Sequence, residues 1–225
     1  MNFKAVFTIL KKDLRIEFRT KHTITSMLLF ACITLLVFSY IVGVYIKSVP
    51  DIGPGLLWLI FIFTGMLGLS RAFMREKELG TLEGLKLSPV SPEEILVGKI
   101  IYNFILMLIV MAIVFPLFIV FFNFPIEGSV VLAIFLLTLG NLGFVIVGSA
   151  MSVLVMNAKA RELLLPVVLF PVLFPVIIAS VLALKKVLVE GATFINIVGE
   201  VKIITAYTGI MLVISLLTFE YALEE

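Results

Sequence analysis

Apolar residues in this chain do not alternate with polar ones. They gather into six uncharged stretches: Ile24–Ile46, Ile52–Ser70, Ile100–Ile126, Gly128–Ala158, Leu163–Leu184 and Ile203–Phe219. A helix that crosses about 30 Å of hydrocarbon needs roughly 20 mainly apolar residues, each rising about 1.5 Å. Every stretch meets that need, the shortest together with its flanks. The pattern therefore predicts an all-α polytopic membrane protein with six transmembrane helices. Before the first of them, Phe3, Val6, Phe7, Leu10, Leu14 and Phe18 recur at helical spacing, with Lys4, Lys11, Lys12, Arg15 and Arg19 mostly on the other side. Residues 1–22 thus predict an amphipathic helix lying in the membrane interface, apolar face down. The pattern suits a topological anchor and a lever to a partner equally.

The longest polar segment separates the second and third spans: Arg71–Lys99, RAFMREKELGTLEGLKLSPVSPEEILVGK. Met74–Leu87 predicts a short helix dense in charge, with Gly80 and Gly84 one turn apart. Ser88-Pro89 should end it, because the residue before a proline is pushed out of helical geometry. Ser91 as N-cap, Pro92 in the first turn and Glu94 closing a capping box then start the third helix before the membrane. A solvated connector is the plainer alternative, but a connector needs only a few residues.

Charge orients the spans, since Lys and Arg gather on the cytoplasmic side. Lys4, Lys11, Lys12, Arg15, Arg19 and Lys21 precede the first span. Arg71, Arg75, Lys77, Lys86 and Lys99 follow the second, and Lys159 and Arg161 follow the fourth. The alternate gaps hold only Lys47, Lys185, Lys186 and Lys202. Both termini are therefore expected in the cytoplasm. The charged run to His22 and the long apolar run after it predict a retained first span rather than a cleaved signal. The segment from Lys185 to Lys202 is expected to lie as an interfacial turn on the outer side.

Composition narrows the function. With 62% hydrophobic residues, the 225 residues are nearly consumed by six helices, leaving one membrane domain, 1–225, and no soluble one. A net charge of +2 implies no nucleic-acid partner, and a cationic N-terminus facing anionic lipid accounts for much of it. Cys32 is the single cysteine and His22 the single histidine, so neither a disulfide framework nor a metal site is expected. No His-Glu-x-x-His, Gly-x-Ser-x-Gly or paired intramembrane Asp supplies a catalytic centre, so no enzyme is expected. No Asp, Glu, Lys or Arg lies at mid-membrane depth, which argues against a proton- or ion-coupled carrier. Tyr40 and Tyr45 sit at the aromatic-belt level, and no cofactor is assigned to this chain. Asn141, beside Gly140 and Gly143, predicts an interhelical hydrogen bond ahead of a substrate contact. Pro166, Pro171 and Pro175 predict a distorted fifth span, because each removes a backbone donor.

Glu78-Leu79-Gly80-Thr81-Leu82-Glu83-Gly84-Leu85, then Ser88-Pro89, Ile95-Leu96 and Gly98-Lys99, resembles the cytoplasmic loop of ABC-2 type transporter permeases. In that family the short helix is a coupling helix seated in a separate ATPase subunit. The resemblance implies that Glu76, Glu78, Gly80, Thr81, Leu82, Glu83, Gly84 and Leu85 perform ATPase coupling. The chain carries no Walker A motif: Lys99 is followed by Ile100 and preceded by no phosphate-cradling glycine pattern. The proline run ELLLPVVLFPVLFPVIIAS is similar to the fifth helix of the CcmB family, the permeases of the cytochrome c maturation (haem exporter) system. That resemblance implies a half-transporter of the prokaryotic cytoplasmic (inner) membrane. Two copies would pair with two copies of a CcmA-type ATPase that binds ATP, and with CcmC- and CcmD-like membrane proteins. Haem would be handled by the complex, and ATP hydrolysis would drive release of the haem-loaded chaperone CcmE. Two alternatives stand beside it: an ABC-2 permease exporting another amphiphile, such as a lipid or drug, and a non-transporting scaffold that relays ATPase strokes.

Overall fold

The computed structural model describes residues 2–45, 49–78, 80–81, 84, 87–155 and 161–224. Seven long helices and one short 3-10 turn make up the described chain: α1 Phe3–Thr20, α2 His22–Tyr45, α3 Val49–Glu78, α4 Pro92–Phe121, α5 Val130–Leu154, α6 Arg161–Leu188, the 3-10 turn Phe194–Ile197 and α7 Val198–Glu224. Six of them are long and apolar enough to cross a membrane: His22–Val42, Val49–Arg71, Pro92–Phe121, Val130–Leu154, Leu163–Leu188 and Phe194–Tyr221. The protein is a multi-pass, all-helical membrane protein, as the apolar runs predict.

Local chemistry sets the helix ends. Asn2 starts α1 by accepting the Lys4 N–H at 3.1 Å. Lys21 closes it in the left-handed region, φ 54°, and α2 begins at the next residue. Ser91 and Glu94 form the predicted reciprocal capping box at the start of α4, with Pro92 in its first turn. At the other end of α4, Asn123 takes φ 44° and lets the chain reverse, while Phe118 stacks on Phe122 at 4.7 Å. Ser129 caps α5 through the Leu132 N–H.

Helix α5 is the hub, touching α3, α4, α6 and α7. Its glycines make this possible. A Cβ on Gly140 would sit 2.6 Å from both Trp58 of α3 and Ser180 of α6, and one on Gly143 2.7 Å from Thr208 of α7. Gly148 receives Leu69 in the same way. Close approach through small residues is how helices associate in lipid, where burial of apolar surface supplies no drive. Helices α2 and α7 lie at the periphery and leave Leu29, Ile33, Leu36, Ile210, Val213 and Leu217 exposed, as lipid-facing side chains must be.

Ion pairs stitch one end of the bundle: Lys185 to Asp51 at 2.9 Å and Lys186 to Glu200 at 2.6 Å. The Glu127 N–H donates to the Leu188 carbonyl there, at 2.9 Å. In the segment expected as an interfacial turn, Gly191 takes φ 65°, Ile197 is buried, and Phe194 and Ile195 are exposed. The opposite end carries α1 and the connection from α3 to α4.

Candidate functional site

Two helices run past their apolar stretches at the α1 end. Helix α3 continues to Glu78, and α4 begins at Pro92, so both ends of the 71–99 connection are helical extensions. Helix α1 packs on the first of α4. Gly98 allows the contact: a Cβ there would stand 3.0 Å from Ile9 Cγ2 and 3.4 Å from the Val6 carbonyl.

A charged cluster joins the three helices. Lys99 Nζ of α4 lies 2.9 Å from Asp13 Oδ2 of α1 and 3.1 Å from Glu76 Oε1 of α3. Lys12 Nζ of α1 reaches the same Glu76 oxygen and lies 3.3 Å from Asp13 Oδ1. Lys99 is only 2% exposed and Asp13 9%. Two acids and two bases cancel in charge. The arrangement is worth less in net stability than as a fixed geometry, because desolvation offsets much of the attraction. Burial works to raise the pKa of the Glu76 carboxyl, but the ammonium groups of Lys99 and Lys12 outweigh it and hold it below the usual carboxylate range. Burial likewise works to lower that of Lys12, and the hydrogen bond and charge of Glu76, together with Asp13, overcome it and raise the value.

One turn further along α1, Glu17 is 1% exposed. Its Oε1 accepts the Ile24 N–H at 2.8 Å and its Oε2 the Tyr102 hydroxyl at 3.3 Å. A carboxylate at the first turn of α2 satisfies an orphan donor and meets the positive end of the helix dipole. Glu94 ties down the start of α1, accepting the Asn2 N–H as well as that of Ser91. Thus α1 is held at its start, middle and end.

This placement corrects the expected orientation of α1. Its apolar face does not point down as a unit. Val6, Ile9 and Leu10 turn into the bundle beside Asp13 and Glu17, whereas Phe3, Phe7 and Phe18 stay exposed. The helix has three faces: one for the bundle, one aromatic and one cationic. Ion pairing across helices overrides the hydrophobic sorting that the spacing alone suggests.

Of the residues expected to couple to an ATPase, Glu76 belongs to the cluster. Glu78 ends α3; the helix runs unbroken through Met74, so that part of the expected short helix is a continuation of the second span. Gly80, at φ 67°, leaves helical geometry, and the Thr81 N–H bonds back to the Glu76 carbonyl at 2.9 Å. That 6→1 bond past a left-handed glycine is a Schellman-type stop, so no single helix spans Met74–Leu87. Gly84 is exposed, and Leu82, Glu83 and Leu85 lie outside the described residues.

Asn141 is fully buried and donates from Nδ2 to the Met111 sulfur of α4, 3.6 Å away; Asn103 bridges to Ser149 at 3.1 Å. Pro166, Pro171 and Pro175 all lie inside α6, which stays continuous. The Tyr207 hydroxyl of α7 donates to the Val172 carbonyl, next to the Pro171 carbonyl that Pro175 leaves without its helical donor.

The sequence reading missed Lys12, Asp13, Glu17 and Tyr102 as partners and read Lys99 as loop charge and as part of the Gly98-Lys99 motif, not as a partner. A signal was present: two acids at i and i+4 on an otherwise cationic helix, and Lys99 and Tyr102 at i and i+3 on the helix they meet.

Comparison with known proteins agrees with the architecture. The chain is similar to heme exporter protein B of Pseudomonas aeruginosa, 26% identical over 163 residues, covering 72% of this chain and 73% of the relative. The protein of the same name from Rhodobacter capsulatus is 28% identical over 163 residues, 72% and 74% of the two chains. That of Bradyrhizobium diazoefficiens is 24% identical over 190 residues, 84% and 85%. The family model described as CcmB protein matches residues 4–225, and with that match over nearly its whole length the chain belongs to the CcmB family.

Proposed function

We propose that this chain is the transmembrane permease subunit of an ABC transporter complex for cytochrome c maturation, serving haem export or release of the haem-loaded chaperone. The match of the CcmB family over residues 4–225 carries this reading, and relatives named heme exporter protein B support it. The chain does no chemistry of its own; a separate CcmA-type ATPase subunit binds and hydrolyses ATP. The 71–99 connection meets that subunit, with Glu76, Glu78, Gly80, Thr81, Leu82, Glu83, Gly84 and Leu85 as the coupling residues. Their movement would pass to the membrane through the extended ends of α3 and α4, which the Lys12–Asp13–Glu76–Lys99 cluster binds to α1.

In this reading the chain sits in the prokaryotic cytoplasmic membrane with both termini inside, beside CcmC- and CcmD-like proteins and a second copy of itself. Reporters active only outside the cytoplasm should be silent when fused at Glu225 and active at Glu127; activity at Glu225 would overturn the orientation. Close packing of Gly140 against Trp58 and Ser180 fills the middle of one bundle. A passenger of haem size would therefore travel along an outer face or between copies rather than through a single chain. The same packing keeps the scaffold alternative in play, in which ATPase strokes are relayed and nothing crosses. Deleting the gene tests the function: loss of covalently bound haem in c-type cytochromes is expected, and normal cytochrome c would refute it.

A further inference from the structure

Charge on α1 is sorted by side. Both of its acids, Asp13 and Glu17, are buried against the bundle, while Lys4, Lys11, Arg15 and Arg19 are exposed. Among the described residues, the outward side of α1 therefore carries positive charge alone. Lys11, Arg15 and Arg19 recur every four residues, which sets them in a row about 6 Å apart along one edge. Beside that row Phe3 is 75% and Phe7 63% exposed, with Phe18 completing an aromatic strip. At the corner where α1 meets α2, Arg71 reaches His22 Nδ1 and Ser26 Oγ and adds a further cation there.

We propose that this outward side of α1, with the Arg71 corner, is a docking surface for the headgroups of anionic phospholipids. The aromatic strip sets the depth: buried to the acyl boundary, it brings the cationic row level with the phosphates. An acidic protein partner would meet the cations but leave Phe3, Phe7 and Phe18 in water. A lipid leaflet satisfies both features at once, and juxtamembrane cations are attracted to anionic lipid within a Debye length of the surface. The cluster on the inward side holds the surface rigid, so the lipid meets a preformed row rather than a mobile tail. The topology proposed above serves only to place this side on the cytoplasmic leaflet; the assay below reads the surface whichever leaflet it meets.

The test reconstitutes the full chain in phosphatidylcholine bilayers with a trace of spin-labelled phosphatidylglycerol or spin-labelled phosphatidylcholine. The fraction of each label immobilised at the protein gives their relative association. A several-fold preference for the phosphatidylglycerol label is expected. It should fall towards parity in the K11Q/R15Q/R19Q variant and, for the unaltered chain, when salt is raised to about 0.5 M; Lys202→Gln, at the opposite end, should leave it unchanged. Equal association of the two labels with the unaltered chain would overturn the proposal, as would full selectivity in the triple variant. Inorganic phosphate that abolishes the preference where chloride of equal ionic strength does not would reveal a free-anion site and also overturn it. Should the triple variant fail to insert, the salt series on the unaltered chain decides.

Discussion

Lys99, at the start of α4, is enclosed by protein and places its ammonium 2.9 Å from the carboxylate of Asp13 on α1. The contact joins the amphipathic helix to the root of the third span, and the 3.1 Å contact of Lys99 with Glu76 extends it to the end of the second.

Removing one member should cost more than removing a pair. Lys99→Met leaves Asp13 and Glu76 with an unbalanced buried charge, a defect that typically costs about 3–5 kcal/mol. Adding Asp13→Leu removes part of that imbalance. The double variant should therefore melt above the Lys99→Met single variant. Thermal unfolding of the purified proteins in one detergent checks the order, and additive losses would show that the two residues are not coupled.

Docking of α1 should have an acid edge and an alkaline edge. Glu76 is held below its ordinary value of 4.5, so its contribution is fully present above that value and lost as pH falls through the lower, docked-state value. Lys12 is raised above 10.5, so its contribution is fully present below that value and lost as pH rises through the higher, docked-state value. A spin label at Thr8→Cys in a Cys32→Ser background should keep constant mobility between those limits and loosen beyond each. Loosening centred near pH 7 would contradict the assignment.

Gly98 should tolerate one carbon and reject four. Alanine gains about 1 kcal/mol of helix propensity over glycine, which offsets the 3.0 Å approach of Ile9 Cγ2. Gly98→Ala is expected to lie within about 1 kcal/mol of the unaltered protein, whereas Gly98→Leu should overpack the contact at about 1–3 kcal/mol. Unfolding midpoints, with protease cleavage of released α1 as second readout, distinguish the two; equal behaviour would mean that α1 does not rest there.

The three prolines of α6 should matter for action rather than for stability. Proline costs about 3 kcal/mol relative to alanine in a helix interior. Replacing Pro166, Pro171 and Pro175 by alanine should leave a protein at least as stable that no longer supports cytochrome c maturation. Normal maturation by the triple variant would make the prolines merely tolerated.

What could be read without the structure was what is local. The six spans follow from uninterrupted apolar runs, and the Ser91–Glu94 capping box from residues three apart. The spacing sets Gly80 and Gly84 one turn apart on a helix, but Gly80 ends α3 because its left-handed conformation and the Thr81–Glu76 bond outweigh the charged pattern around it. The faces of α1 stayed hidden for a different reason. Asp13 and Glu17 look like part of a solvated polar side until Lys99 and Tyr102, far along the chain, are brought against them. The spacing of α1 puts both acids on one face but does not say that their partners are Lys99 and Tyr102.

The most direct measurement is made on a strain lacking the chromosomal copy and carrying either the unaltered gene or Lys99→Met. Covalently bound haem in c-type cytochromes is compared at matched membrane levels of the two proteins, together with co-purification of the ATPase subunit. The account predicts that the variant still retains the ATPase, because residues 78–85 are unaltered, yet matures little cytochrome c, because α1, α3 and α4 no longer move together. Full maturation by Lys99→Met, inserted at the normal level, would contradict it.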